Sequence, residues 1–134
     1  MNYEWVEAQT VYALHQRQIS EHGGTSGVRD EGLLLSALAR PENLFAYGED
    51  VDLSALAASY AYGIAKNHPF LDGNKRTALV TAVTFLNLNG FDFDAPPAET
   101  YLQFLGLAEG SVSEEELAAW FRERLFQIDE NSAD

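Results

Sequence analysis

The chain has 134 residues, no cysteine and a formal net charge of −13, with 46% hydrophobic and 12% aromatic residues. That is enough apolar material for one packed domain (1–128, followed by an acidic frayed tail at 129–134), and it excludes a disulfide framework, a zinc finger and thiol chemistry. The acidic balance argues against general nucleic-acid binding and against an anionic membrane surface, each of which needs a local excess of cations.

In chain order, residues 4–21 have helical composition, with Trp5, Val11, Leu14 and Ile19 as core contacts and a stop at Gly23-Gly24. The stretch from His22 to Val28 is glycine-rich and reads as a flexible loop. Asp30 then caps a short helix carrying Leu33, Leu34, Ala37 and Leu38, which is predicted to stop before Pro41. Residues 42–52 read as a connection, and Leu53, Leu56, Ala57, Tyr60 and Ile64 mark a helix over 53–66.

The next helix, 73–89, has almost no polar face between Ala78 and Leu88 and is predicted to be the central buried one, ended by Gly90. After Ala95-Pro96-Pro97 a short helix follows over 98–108. Ser113 and Glu116 then have capping-box spacing ahead of Leu117, Trp120, Phe121 and Leu125. No basic region precedes an apolar core at the amino terminus, and no run approaches the ~18 apolar residues of a membrane span, so the expected location is cytoplasmic. The fold class is all-α.

The positive charges are unevenly placed. Lys66, Lys75 and Arg76 face a single acid, Asp72, giving residues 66–76 a net +2, whereas residues 109–134 carry −6. The window reads Lys-Asn-His-Pro-Phe-Leu-Asp-Gly-Asn-Lys-Arg-Thr-Ala and enters the helix at 73. A helix N-terminus, with free N–H groups and the positive dipole end, binds anions. Cations in its first turn oppose the dipole, so Lys75 and Arg76 are either simply solvated or set against a phosphate. Gly73 permits close backbone approach and Asn74 offers an amide. Asp72 is a helix cap or a magnesium ligand, and His68 a structural imidazole or a base for a hydroxyl proton. Neither the P-loop nor the Rossmann glycine pattern is present.

The run His-Pro-Phe-Leu-Asp-Gly-Asn-Lys-Arg resembles the signature of the Fic/Doc superfamily, in its death-on-curing toxin branch. The stretches 21–24, 27–33, 36–41 and 86–90 are also similar to that branch. The resemblance implies an all-α Fic/Doc-like helical bundle with a short flap loop. It implies His68 as the base, Asp72 as the magnesium ligand, and Gly73, Asn74, Lys75 and Arg76 as the nucleotide-phosphate site.

The loop His22, Gly23, Gly24, Thr25, Ser26, Gly27 and Val28 corresponds to the flap that pairs with a target segment. From the residues alone it reads equally well as a connector. Arg29 and Asp30 either brace this flap or cap the following helix. Two departures from the broad Fic pattern, Lys75 for a glycine and Leu79 for a second arginine, are shared with the death-on-curing branch. They favour transfer of the ATP γ-phosphate to a hydroxyl of elongation factor Tu, arresting translation, over AMP transfer or a catalytically silent binding module. No Ser/Thr-x-x-x-Glu-Gly/Asn restraint motif is found, so a separate antitoxin is the expected partner.

Overall fold

Among the described residues, 2–129, the computed structural model contains six helices and one small sheet. They run α1 (Ala8–His22), α2 (Glu31–Tyr47), α3 (Leu53–Asn67), α4 (Asn74–Leu88), β1 (Phe91–Phe93), α5 (Pro97–Glu109), α6 (Glu114–Arg124) and β2 (Leu125–Gln127). The all-α class holds, with one addition: β1 and β2 pair antiparallel, Asp92 opposite Phe126. Strands of three residues are too short to leave a readable alternation in the sequence.

The central helix is α3, not α4 as the apolar run at 78–88 suggests. Leu53, Leu56, Ala57, Ala58, Tyr60, Ala61 and Ile64 are buried, and α3 packs against α2, α4, α5 and α6. Its small residues allow this. A Cβ on Gly63 would lie 3.1 Å from Ala37, so α2 crosses here at near backbone distance. By contrast, α4 buries Thr77, Ala78, Thr81, Ala82, Phe85 and Leu86 on one face and leaves Lys75, Arg76 and Leu88 exposed. A run of apolar residues does not distinguish a surrounded helix from one leaning on a partner.

Several local signals act as the sequence predicts. Asp30 accepts from the N–H of Leu33, three residues on, which starts α2; Asp52, read only as the end of a connection, does the same for α3 through the N–H of Ala55. Ser113 and Glu116 form the reciprocal capping box of α6. Gly90 takes the left-handed conformation (φ 86°) just after α4.

Two boundaries differ. Residues 2–7 precede α1, which begins at Ala8; Trp5 is nevertheless in the core margin, stacked 5.7 Å from Phe85. Helix α2 continues through Pro41 to Tyr47. A proline inside a helix removes one backbone bond, at about 3 kcal/mol. Here Pro41 is itself buried beside Ala37 and Leu38, and tertiary packing carries the helix past it.

Candidate active site

The loop between α3 and α4 is held from three sides. His68 ends α3 in the left-handed conformation (φ 53°), and Gly73, also left-handed (φ 74°), turns the chain into α4. Phe70 is fully buried between them. The Asn74 carboxamide closes the loop from inside: its Oδ1 accepts from Phe70 N–H at 3.0 Å and its Nδ2 donates to Phe70 C=O at 3.0 Å. From α1, the buried His15 lies flat on Phe70 and its Nε2 is 2.9 Å from the Asp72 carbonyl oxygen. From the flap side, Val28 and Phe70 form an antiparallel bridge, Leu71 N–H donates to Gly27 C=O at 3.0 Å, and Arg29 N–H donates to Pro69 C=O at 2.7 Å.

His22 is the last residue of α1, so the flap proper is Gly23, Gly24, Thr25, Ser26, Gly27 and Val28. It touches the loop directly. The Asp72 carboxylate accepts from Thr25 N–H at 3.2 Å and from Gly73 N–H at 2.9 Å. These two backbone donors, with Arg76 and His15 as lesser contributors, hold the Asp72 carboxyl below the usual carboxylate range.

Asp30 caps α2, while the Arg29 guanidinium donates to the carbonyls of His68 (2.7 Å) and Asn67 (2.8 Å), the end of α3. Arg29 thus ties the flap's base to the histidine itself.

His68, Asp72, Gly73, Asn74, Lys75 and Arg76 all line one cavity of about 690 Å³. The N–H groups of residues 74–76 precede the first helical bond, from Thr77 N–H to Gly73 C=O, and so belong to the anion-binding end of α4. Asn74 is 4% exposed and its amide is spent inside the loop; what it offers an anion is its backbone N–H. The opposite wall was not legible as part of a site: Phe93 and Asp94 at β1, then Pro97, Thr100, Tyr101, Phe104 and Leu105 of α5. Leu79 lies in the same cavity.

His15 was also missed. The available signal was a histidine in an otherwise core-facing position of α1, which periodicity alone reads as packing. Among the described residues no cluster of three or more metal-ligating side chains exists. Asp72 and Asp94 are the two carboxylates that line the cavity, and Asp72 is the one beside the N-terminus of α4, a sparse set that suits an ion held chiefly by phosphate oxygens.

A family model described as the Fic/DOC family matches residues 5–86. The chain is 36% identical to the protein kinase doc of Escherichia phage P1 over 118 residues, covering 87% of this chain and 92% of that protein. It is 47% identical to toxin Doc of Mycolicibacterium smegmatis over 83 residues, covering 58% of this chain and 63% of that one. The matched stretch takes in α1, the flap, the histidine loop and most of α4, and so includes the histidine-loop and α4 side of the cavity but not its α5 side; this chain belongs to the Fic/Doc family.

Proposed function

We propose that the chain is a toxin that transfers the γ-phosphate of ATP to a serine or threonine hydroxyl of a protein, elongation factor Tu being the target implied by the resemblance to the death-on-curing branch. The observation that carries this reading is the cavity itself. One side has the open N-terminus of α4 with Lys75 and Arg76, and the other has the aromatic wall of Phe93, Tyr101 and Phe104. The first fits polyphosphate and the second fits a flat apolar ring. The relatives' names, protein kinase doc and toxin Doc, support the same class of activity.

In this reaction the acceptor oxygen forms a bond to the γ-phosphorus, the bond to the β,γ-bridging oxygen breaks, and ADP leaves with that electron pair. His68, exposed at the cavity, takes the hydroxyl proton. The α4 N-terminus, Lys75 and Arg76 stabilise the charge on the phosphoryl oxygens. Asp72 would hold magnesium, which supplies further neutralisation of phosphate charge. The flap aligns the target segment through its backbone. A separate antitoxin would restrain the protein, and the acidic surface of this chain suits a basic partner.

Parallel labelling of cell extract with γ- and α-labelled ATP tests the proposal. Label from γ alone, lost in His68→Ala, is the expected result. Label from α reassigns the chain to AMP transfer, and no label from either sinks the enzymatic reading.

A further inference from the structure

The orientation of the Asn74 amide has a chemical consequence for His68. Its oxygen is fixed, because Oδ1 accepts from the Phe70 N–H at 3.0 Å. Its nitrogen is fixed with it, because Nδ2 donates to the Phe70 carbonyl at 3.0 Å. The same Nδ2 lies 3.0 Å from His68 Nδ1. An amide nitrogen has two hydrogens and no acceptor capacity. One hydrogen goes to Phe70, so the second points at His68 Nδ1, which must present a lone pair. A proton on Nδ1 and the bond to Asn74 exclude one another.

We infer that Asn74 is a positioning residue that holds resting His68 as the Nε2–H tautomer. The nitrogen left for the cavity then carries a proton, and His68 meets an incoming phosphate as a hydrogen-bond donor. A neutral imidazole with Nε2 protonated has one lone pair, on Nδ1. Uptake of the acceptor's proton therefore requires that Asn74 release Nδ1, either because the proton lands there or because the ring first exchanges tautomers.

Asn74 is suited to such a hold because its other two bonds anchor it to the loop backbone and it is 4% exposed. The tautomer stands on the loop geometry alone. Its consequence for proton transfer rests on the transferase reading above, and the measurement below needs no nucleotide.

The test is two-bond ¹H–¹⁵N correlation of the imidazoles in the full-length protein, above the pH at which they are protonated. The exposed His22 serves as the internal reference and His68→Gln assigns the signals. The expected result is a His68 ratio of Nε2–H to Nδ1–H exceeding that of His22 by roughly five- to tenfold, the effect of one hydrogen bond. Asn74→Ala returns His68 to the His22 ratio, and Asn74→Asp, which accepts rather than donates, reverses it toward Nδ1–H. A wild-type His68 with the ratio of His22, or with Nδ1–H in excess, overturns the inference even if neither variant folds. So does an Asn74→Asp protein that keeps Nε2–H.

Discussion

The imidazole of His15 lies flat against the ring of Phe70, centroids 3.9 Å apart and planes within 8° of parallel. Its Nε2 donates to the Asp72 carbonyl, 2.9 Å away, so one side chain of α1 supports both the apolar anchor of the loop and the peptide that leads into Gly73. Two substitutions separate these contributions. His15→Phe keeps the stack and leaves the carbonyl without its donor, at a cost of about 1–2 kcal/mol. His15→Ala removes the stack as well and is expected to cost about 2–4 kcal/mol. Urea unfolding of the two variants measures the difference. Transfer activity of His15→Phe is expected to fall by more than its stability loss explains, since the displaced peptide carries Asp72.

The flap and the carboxylate are equally close. A Cβ on Gly24 would stand 2.7 Å from Asp72 Oδ2, and the residue's φ of 118° disfavours any side chain. Gly24→Ala is therefore expected to push the flap off Asp72 and break the 3.2 Å bond from Thr25 N–H. The flap is exposed, so the melting temperature is expected to move little, while phosphorylation of a protein target falls at least tenfold. Equilibrium binding of ATP, measured by calorimetry, is expected to stay within a few-fold. Target transfer at the wild-type rate would show that the flap's contact with Asp72 has no part in the reaction.

Which parts of this arrangement were readable in the chain follows from the range of the contacts. The loop from His68 to Arg76 is contiguous, and its conflict with the helix dipole is visible in nine residues. Asp30 and the Ser113–Glu116 box act over three residues and are equally plain. His15 reaches Asp72 across 57 positions, and nothing local to α1 points to it. The α5 wall joins the site only because α4 and α5 pack together. The centrality of α3 depends on small residues such as Gly63, whose meaning appears only with Ala37 beside it. Pro41 misled for the opposite reason: a strong local rule was overridden by burial against the core.

Asp52 links the start of α3 to α6 and gives a pH dependence. It caps α3 through Ala55 N–H, and Arg122 of α6 donates to both of its oxygens, at 2.6 and 2.9 Å. The Arg122 hydrogen bonds first, and the cap second, hold its carboxyl below the ordinary carboxylate value against a desolvation effect that raises it. A lowered folded-state value means the stabilisation is fully present above the unfolded pKa, near 4, and is lost as pH falls through the folded one. The pair is half exposed, so its ionic part is screened and small. Asp52→Ala is expected to lose about 1 kcal/mol, mostly from the cap. Thermal melts from pH 7 down to 2 check the sign: the gap between wild type and Asp52→Ala narrows below pH 4.

Tyr101 tests the wall that completes the cavity. It is 61% exposed on α5, and it lines the same space as Arg76 and His68. A large aromatic held open to solvent contributes little to the core, so Tyr101→Ala is expected to leave the unfolding midpoint nearly unchanged. If a nucleobase stacks on it, the loss is that of an exposed aromatic contact, about 0.5–1.5 kcal/mol, or roughly two- to tenfold in KM for ATP. Turnover at saturating ATP is expected to hold, because a stacking ring contributes to nucleotide binding and not to proton transfer. Tyr101→Phe keeps the stacking face and is expected to restore KM, which distinguishes stacking from a role of the hydroxyl. Unchanged KM in Tyr101→Ala would move the base of the nucleotide to another part of the cavity, with the phosphate end at α4 unaffected.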